Sequence, residues 1–446
     1  MINLAKSTVN TAKIIIYTKT AFEYFSKGKI NTMENKREYI SETLETPVSG
    51  EYDVIVAGAG PAGCASAISA ARCGMSVLLI ERGCSIGGMF TQGLVTPLFD
   101  AENKTGLAGE IRDEMKDGGN LGGMWDICFR PQDVAVLMEE KLYDAGVTVM
   151  DGTFVVSVMS CGGHVSGVIT ESKRGREAYK AQVVIDCTGD GDLCASAGVP
   201  FEYGDENGKC QSCTMMFAID GTDFLQKAPN ELADMLNAAA KEHGIDYVCP
   251  FNNPYVIDLP GTSMRIVQLT HMESHALDPV QTAKAAAVGR KQIYDTLAVM
   301  KLIPIFKDVR LVQIASMLGI RESRRIHGKY TLTAEDATTG ATFPDGVTRA
   351  AFGIDIHPPK GGVQIVKKVV PYEIPLRSML AEGFDNLMMA GRCISGTHEV
   401  MASYRVTGDC LAMGDACGIA AAEYIKTGTP LEQVPIKEIL NQKYSK

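Results

Sequence analysis

No apolar run in the chain approaches the roughly 18 residues needed to cross a bilayer. Stretches such as Val54 to Ala57 and Val183 to Ile185 are short and stop at polar or glycine turns. Integral membrane contact is therefore not expected. Basic charge is in deficit too: 43 Lys and Arg stand against 53 Asp and Glu, a formal charge of −10. That balance argues against a nucleic-acid partner, while leaving room for a local basic cleft that faces an acidic metabolite. Paired cysteine motifs are nearly missing. Of 13 cysteines, Cys210 and Cys213 make the sole C-x-x-C pair, and no second pair or nearby histidine completes a zinc set. No metal is expected. An odd cysteine count in a long chain points to free thiols in a reducing, cytoplasmic setting.

What the chain does have is size: 446 residues, 46% hydrophobic, with 45 glycines, which fits an α/β protein of two or three domains. Residues 1–32 stand apart, with five lysines against one glutamate and no arginine or proline. They read as an extension or a misassigned start, with Met33 the alternative first residue. From Glu51 the pattern sharpens. Tyr52 to Ala57 predicts a buried strand, Gly58 to Gly63 a tight turn, Pro61 to Cys73 a helix, and Ser76 to Ile80 a second strand. Several strands follow between 147 and 187. A mixed stretch over 212–380 includes a long helix near Val280 to Met300. Leu387 to Ala390 then returns as a buried strand, and Cys410 to Ile425 as a helix rich in alanine and glycine. The nucleotide-binding fold is thus expected to be discontinuous: residues 33–211 as its first part, 212–380 as an inserted substrate domain, and 381–446 as its return.

Gly58-Ala59-Gly60-Pro61-Ala62-Gly63 matches G-x-G-x-x-G directly after a strand. Gly58 permits the turn, Gly60 leaves room for a pyrophosphate, and Gly63 lets helix approach strand, so that helix N–H groups face the phosphates. Glu81 ends the second strand 23 residues after Gly58. A carboxylate there accepts hydrogen bonds from ribose hydroxyls and disfavours a 2′-phosphate. The fingerprint alone does not separate NAD from FAD.

The rest of the chain resembles the FAD-dependent oxidoreductases of the glutathione-reductase-like flavoprotein superfamily, from about Tyr39 onward. The resemblance is carried by Val48-Ser49-Gly50-Glu51-Tyr52-Asp53, by Gly87-Gly88-Met89 and by Thr188-Gly189-Asp190-Gly191-Asp192. Two more specific blocks are Arg321-Glu322-Ser323-Arg324-Arg325-Ile326 and Ala390-Gly391-Arg392-Cys393-Ile394-Ser395-Gly396-Thr397-His398 through Arg405. It implies an α/β fold with a discontinuous Rossmann-like FAD-binding domain and an inserted α+β substrate domain. FAD would be held by Gly58, Gly60, Pro61, Ala62, Gly63 and Glu81, with Arg82, Gly88, Met89, Val155, Thr188, Gly189, Asp190, Gly391, Arg392 and Gly408. Thr407, Gly408 and Asp409 depart from the family's usual Met, Pro and Thr.

Hydride transfer between flavin N5 and a small polar, possibly acidic metabolite is the expected reaction, with FAD-dependent monooxygenation as the alternative. A non-enzymatic flavin-binding or membrane-recruiting protein is the third idea. A redox C-x4-C and a second G-x-G-x-x-G are both missing. Electrons should therefore pass through the same active-site face or an external donor or acceptor. Self-association is left open. His398, placed on a loop after the Gly391 block, is the leading acid–base candidate. Arg405 and Arg324 are candidates for binding a carboxylate, with Tyr404 and His327 behind them and His357 weaker still. Arg321, Arg324 and Arg325 form either an anion site or an ion-pair cluster.

Overall fold

The computed structural model describes residues 40–117, 128–359 and 363–444. The segment 1–32, read above as an extension, lies outside the described residues. Strand β1 (Val48–Ala57) ends in Val-Ile-Val-Ala, every residue of which is buried. Such a continuous apolar run fits a parallel strand covered on both faces. It pairs in parallel with β2 (Val77–Ile80) on one side and β6 (Gly175–Asp186) on the other. Beyond β2 lies β3 (Thr148–Met150).

The far edge of β6 is divided. Its first half takes β5 (His164–Ser172) in antiparallel pairing, and β5 in turn takes β4 (Phe154–Cys161). Its second half takes β17 (Leu387–Met389) in parallel, with Met388 opposite Ile185. Asn386 seals the junction. Its side-chain oxygen accepts the Val165 N–H at 2.8 Å, and its amide nitrogen donates to the carbonyls of Val165 and Gln182. The short apolar stretch Val183 to Ile185 is therefore the end of a long strand, whose first half belongs to a hairpin and whose second to the parallel sheet.

Helix α1 (Pro61–Arg72) covers this sheet beside α9 (Thr407–Thr427), which begins three residues before the expected Cys410. A Cβ at Gly414 of α9 would overlap the Ala62 carbonyl of α1, so glycine is what lets these two helices approach so closely. Between them in sequence come α2 (Gly106–Asp117), α3 (Pro131–Asp144), α4 (Asp192–Ser196) and, in the second module, α5 (Glu231–Glu242) and α6 (Pro279–Met300). Two short helices, α7 (Ala334–Thr339) and α8 (His398–Tyr404), precede α9, and α10 (Ile436–Tyr444) follows it.

The second module is built on an antiparallel sheet in the order β11 (Arg310–Ile314), β8 (Phe217–Asp220), β10 (Arg265–Gln268), β9 (Tyr255–Asp258). Alternation along these strands separates two faces. Phe217, Ile219 and Val267 pack with Leu232, Leu236, Ile293 and Leu297 of α5 and α6. Met216, Ala218, Ile257 and Ile266 turn the other way, towards Leu94. The core of this module draws on residues 213–318, whereas Ile326, Leu332, Ala350, Ile354 and Tyr372 belong to the larger core with β1 and α9. The division of the cores therefore falls near 320, earlier than the boundary at 380 read from the sequence. Residues 326–359 and 363–380 join the nucleotide-binding unit through short pairs, among them β12 (Arg324–Ile326) with β7 (Phe201–Tyr203), β13 (Gly346–Ala350) with β16 (Tyr372–Pro375), and β14 (Ile354–Ile356) with β15 (Ile365–Lys367). Among the described residues, no helix is long and apolar enough to cross a membrane.

Candidate active site

A cavity of about 510 Å³ runs from the carboxyl ends of β1 and β2 to the inner face of the second sheet. At its first end, α1 starts on Pro61, with Gly60 at the N-cap and no side-chain cap, so first-turn N–H groups remain open for an anion. A Cβ at Gly60 would meet nothing within 4 Å, whereas one at Gly63 would overlap the Gly58 carbonyl. The first glycine keeps the cavity clear and the other keeps helix against strand. Glu81 is buried at the end of β2, where it accepts the Ala59 N–H at 2.7 Å and the Gly83 N–H at 2.8 Å. Each oxygen retains a lone pair for a ribose hydroxyl. Arg82, Gly88, Met89 and Val155 line the same stretch.

Midway, Thr188, Gly189 and Asp190 line the cavity beside Gly391 and Arg392. Asp190 pairs with Arg392 and accepts the Ser323 hydroxyl at 2.7 Å. Burial opposes its ionisation, but the Arg392 guanidinium and the Ser323 bond outweigh that and hold its pKa below the usual carboxylate range.

The far end is charged within apolar walls that include Met216, Ile257, Leu318 and Phe352. Arg321 donates to the Ser212 carbonyl at 2.9 Å and to the Thr214 hydroxyl at 2.8 Å. Among the described residues, no carboxylate pairs with it. Arg405 lies 3.5 Å from the Asp355 carboxylate and donates to its carbonyl at 3.1 Å, while its Nε has no partner among the described residues. Asp355 also receives His357 Nε2 at 3.0 Å and the Gln364 amide. Burial opposes the Asp355 charge, yet the bond from His357 and the nearby Arg405 hold its pKa low. Burial, reinforced by Arg321, pushes the His357 pKa down to about 3, so the imidazole is neutral at physiological pH and its Nδ1 is unpartnered. Burial and the Arg405 charge also lower the Arg321 pKa to about 10.

The family model of FAD dependent oxidoreductases matches residues 53–442. The chain belongs to that family. The FAD-dependent oxidoreductase is 32% identical over 150 residues to thiamine thiazole synthase from Methanococcus aeolicus, a match covering 31% of this chain and 55% of the relative. The chain thus spans about half the length of the curated relative it matches. Among solved structures, a geranylgeranyl bacteriochlorophyll reductase-like protein from Thermoplasma acidophilum is 13% identical, with 89% of this chain and 84% of that chain covered at a TM-score of 0.48. The p-nitrophenol 4-monooxygenase from Pseudomonas putida gives the same identity, coverages and TM-score. The open first turn of α1, the clear space at Gly60 and the buried Glu81 fit the adenosine and pyrophosphate of the FAD that the family carries.

Of the residues expected from sequence to hold FAD, all but Gly63 and Gly408 line the cavity of this oxidoreductase. Gly408 differs from expectation for a physical reason: its N–H donates to the Phe99 carbonyl at 2.9 Å, and a Cβ there would collide with Phe99 and Asp100. It serves a close backbone approach, while Thr407 and Cys410 of the same helix face the cavity. Of the five catalytic candidates, Arg405 alone lines the cavity. His398 begins α8 instead of lying on a loop, and its Nδ1 sits 2.8 Å from Glu322. Tyr404 is wholly buried, with its hydroxyl on the Ile394 carbonyl at 3.1 Å. Arg324 is spent on Asp192 at 2.8 Å and on the Phe201 ring, and His327 lies near Glu382 at 3.5 Å on the outer surface. Asp355 and Gln364 were missed and Arg321 was left unranked. One signal was available: Ile-Asp-Ile-His alternates, so Asp355 and His357 share a face opposite the buried Ile354 and Ile356.

Proposed function

We propose that this oxidoreductase transfers hydride between the flavin of its FAD and a small carboxylate-bearing metabolite held at the far end of the cavity. The observation that carries this reading is the charge there: among the described residues, two guanidiniums, Arg321 and Arg405, stand with one carboxylate, Asp355, which pairs with Arg405. A bound carboxylate supplies the missing negative charge and takes the unused guanidinium donors, the strongest kind of hydrogen bond available to them. FAD supplies two-electron chemistry at its isoalloxazine ring. The chain's own residues bind, orient and dry the substrate. Met216, Ile257 and Leu318 exclude water from the reacting carbon, and neutral His357 braces the Asp355 carboxylate beside the two guanidiniums.

An anaerobic panel of small carboxylic acids, scored by bleaching of the flavin absorbance, tests this. At least one acid should bleach the wild type, and Arg321→Met or Arg405→Met should slow that bleaching by about 100-fold or more. Bleaching that neither arginine variant slows would sink the reading. The apolar walls also favour a second reading, oxygen insertion into an apolar substrate. Under it, labelled oxygen enters the product during aerobic turnover.

A further inference from the structure

Arg321 and Arg405 sit at the far end of the cavity with, among the described residues, a single carboxylate, Asp355, beside them, and that carboxylate is held by several partners. Asp355 is held by His357 from the same strand end, by Gln364 across the β14–β15 hairpin, and by Arg405 from the end of α8. Its side chain is 13% exposed, as against 15% for Arg405. The other charged groups nearby are already committed. Arg392 is matched by Asp190, and Glu322, with no exposure, is matched by Arg325 and takes His398. His357 is neutral. Among the described residues, two guanidiniums against one carboxylate leave this end of the cavity with one uncompensated positive charge.

We propose that Asp355 is a charge selector, which restricts the site to substrates presenting one negative charge to Arg321 and Arg405 and turns away dianions. This rests on the reading of the site as a carboxylate pocket and adds which carboxylates enter it. A monoanion brings the buried end to neutrality. A dianion overshoots and sets its second carboxylate against Asp355, a like-charge contact that a partly buried site screens poorly. Carboxamide in place of the Asp355 carboxylate leaves the hairpin's hydrogen-bond partner but exposes both guanidiniums, so the same pocket then matches a dianion.

The test uses the holoenzyme and two probes of equal carbon count, propionate and malonate, titrated at mildly alkaline pH and followed by perturbation of the flavin absorbance. Wild type should bind propionate more tightly than malonate. Asp355→Asn should reverse the order, with malonate affinity rising at least about tenfold, while Asp355→Glu keeps the wild-type order. Arg321→Met should weaken both probes. If Asp355→Asn leaves the order unchanged while Arg321→Met still weakens both, the selector is overturned and the carboxylate pocket stands. If Arg321→Met affects neither probe, the carboxylate pocket itself fails. Should Asp355→Asn not retain FAD, the wild type decides alone: malonate bound as tightly as propionate overturns the selector.

Discussion

The Nδ1 atom of His398 lies 2.8 Å from Oε1 of Glu322, a carboxylate with no solvent exposure. Glu322 also accepts the Gln211 N–H at 2.9 Å and pairs with Arg325, whose remaining donors reach the Glu202 carboxylate and the carbonyls of Gly396 and Gly204. Three distant segments meet on this one side chain. Glu322→Gln leaves the buried Arg325 guanidinium with only the exposed Glu202 as counter-charge and should cost about 3 kcal/mol, measured by urea unfolding of the holoenzyme. His398→Asn should cost about 1 kcal/mol and leave flavin bleaching per bound FAD at the parent rate. Slowed bleaching with unchanged stability would return His398 to the chemistry.

The two fingerprint glycines should part company. Gly60→Ala adds a methyl group that meets no protein atom, so the unloaded chain should melt as the parent does while FAD retention drops. Gly63→Ala drives a methyl into the Gly58 carbonyl, and the melting temperature itself should fall. Thermal melts of unloaded protein, set beside flavin content after purification, separate the two effects.

His357 makes acid stability measurable. Burial, then Arg321, lowers its pKa from 6.5 to about 3. Across that window the unfolded chain takes up a proton that the folded chain refuses, so stability is full above pH 6.5 and is lost as pH falls towards 3. The loss from this group is at most about 5 kcal/mol. Asp355, held below the usual carboxylate range, adds to the loss only below about pH 4. Urea midpoints of the parent should therefore decline between pH 6.5 and 4, and His357→Gln should flatten that decline. An equal slope in both proteins would show that the imidazole is not held neutral.

Gly408→Ala tests the helix start. A methyl group there strikes the Phe99 and Asp100 carbonyls, so the segment that seats Pro97 and Phe99 on the cavity wall must shift. We expect lower stability by about 1–3 kcal/mol together with an altered flavin absorbance band. A changed band without loss of stability would instead make Gly408 a direct neighbour of the ring.

The nucleotide end was legible in sequence because its signals are local. Strand, glycine turn and helix run consecutively from Tyr52 to Arg72, and Glu81 ends the next strand. The charged end was not, because Thr214, Arg321, Asp355 and Arg405 converge from four separate segments, and no spacing rule links them. Proximity in sequence also misled. His398 follows the Gly391 turn, yet the first turn of α8 directs its ring to Glu322, away from the cavity.

The divided edge of β6 has a consequence for synthesis on the ribosome. Strands β1 to β6 emerge early, but the partner of the second half of β6 is β17, some 200 residues later. The helix that covers α1 emerges later again. Until Arg392 arrives to meet Asp190, the growing chain carries an unpaired strand edge, a bare apolar helix and half a nucleotide site. Such surfaces are where nascent chains stick to one another. Capture of FAD by this chain is accordingly a late event in its making, and a protein truncated within α9 should be both colourless and prone to aggregate.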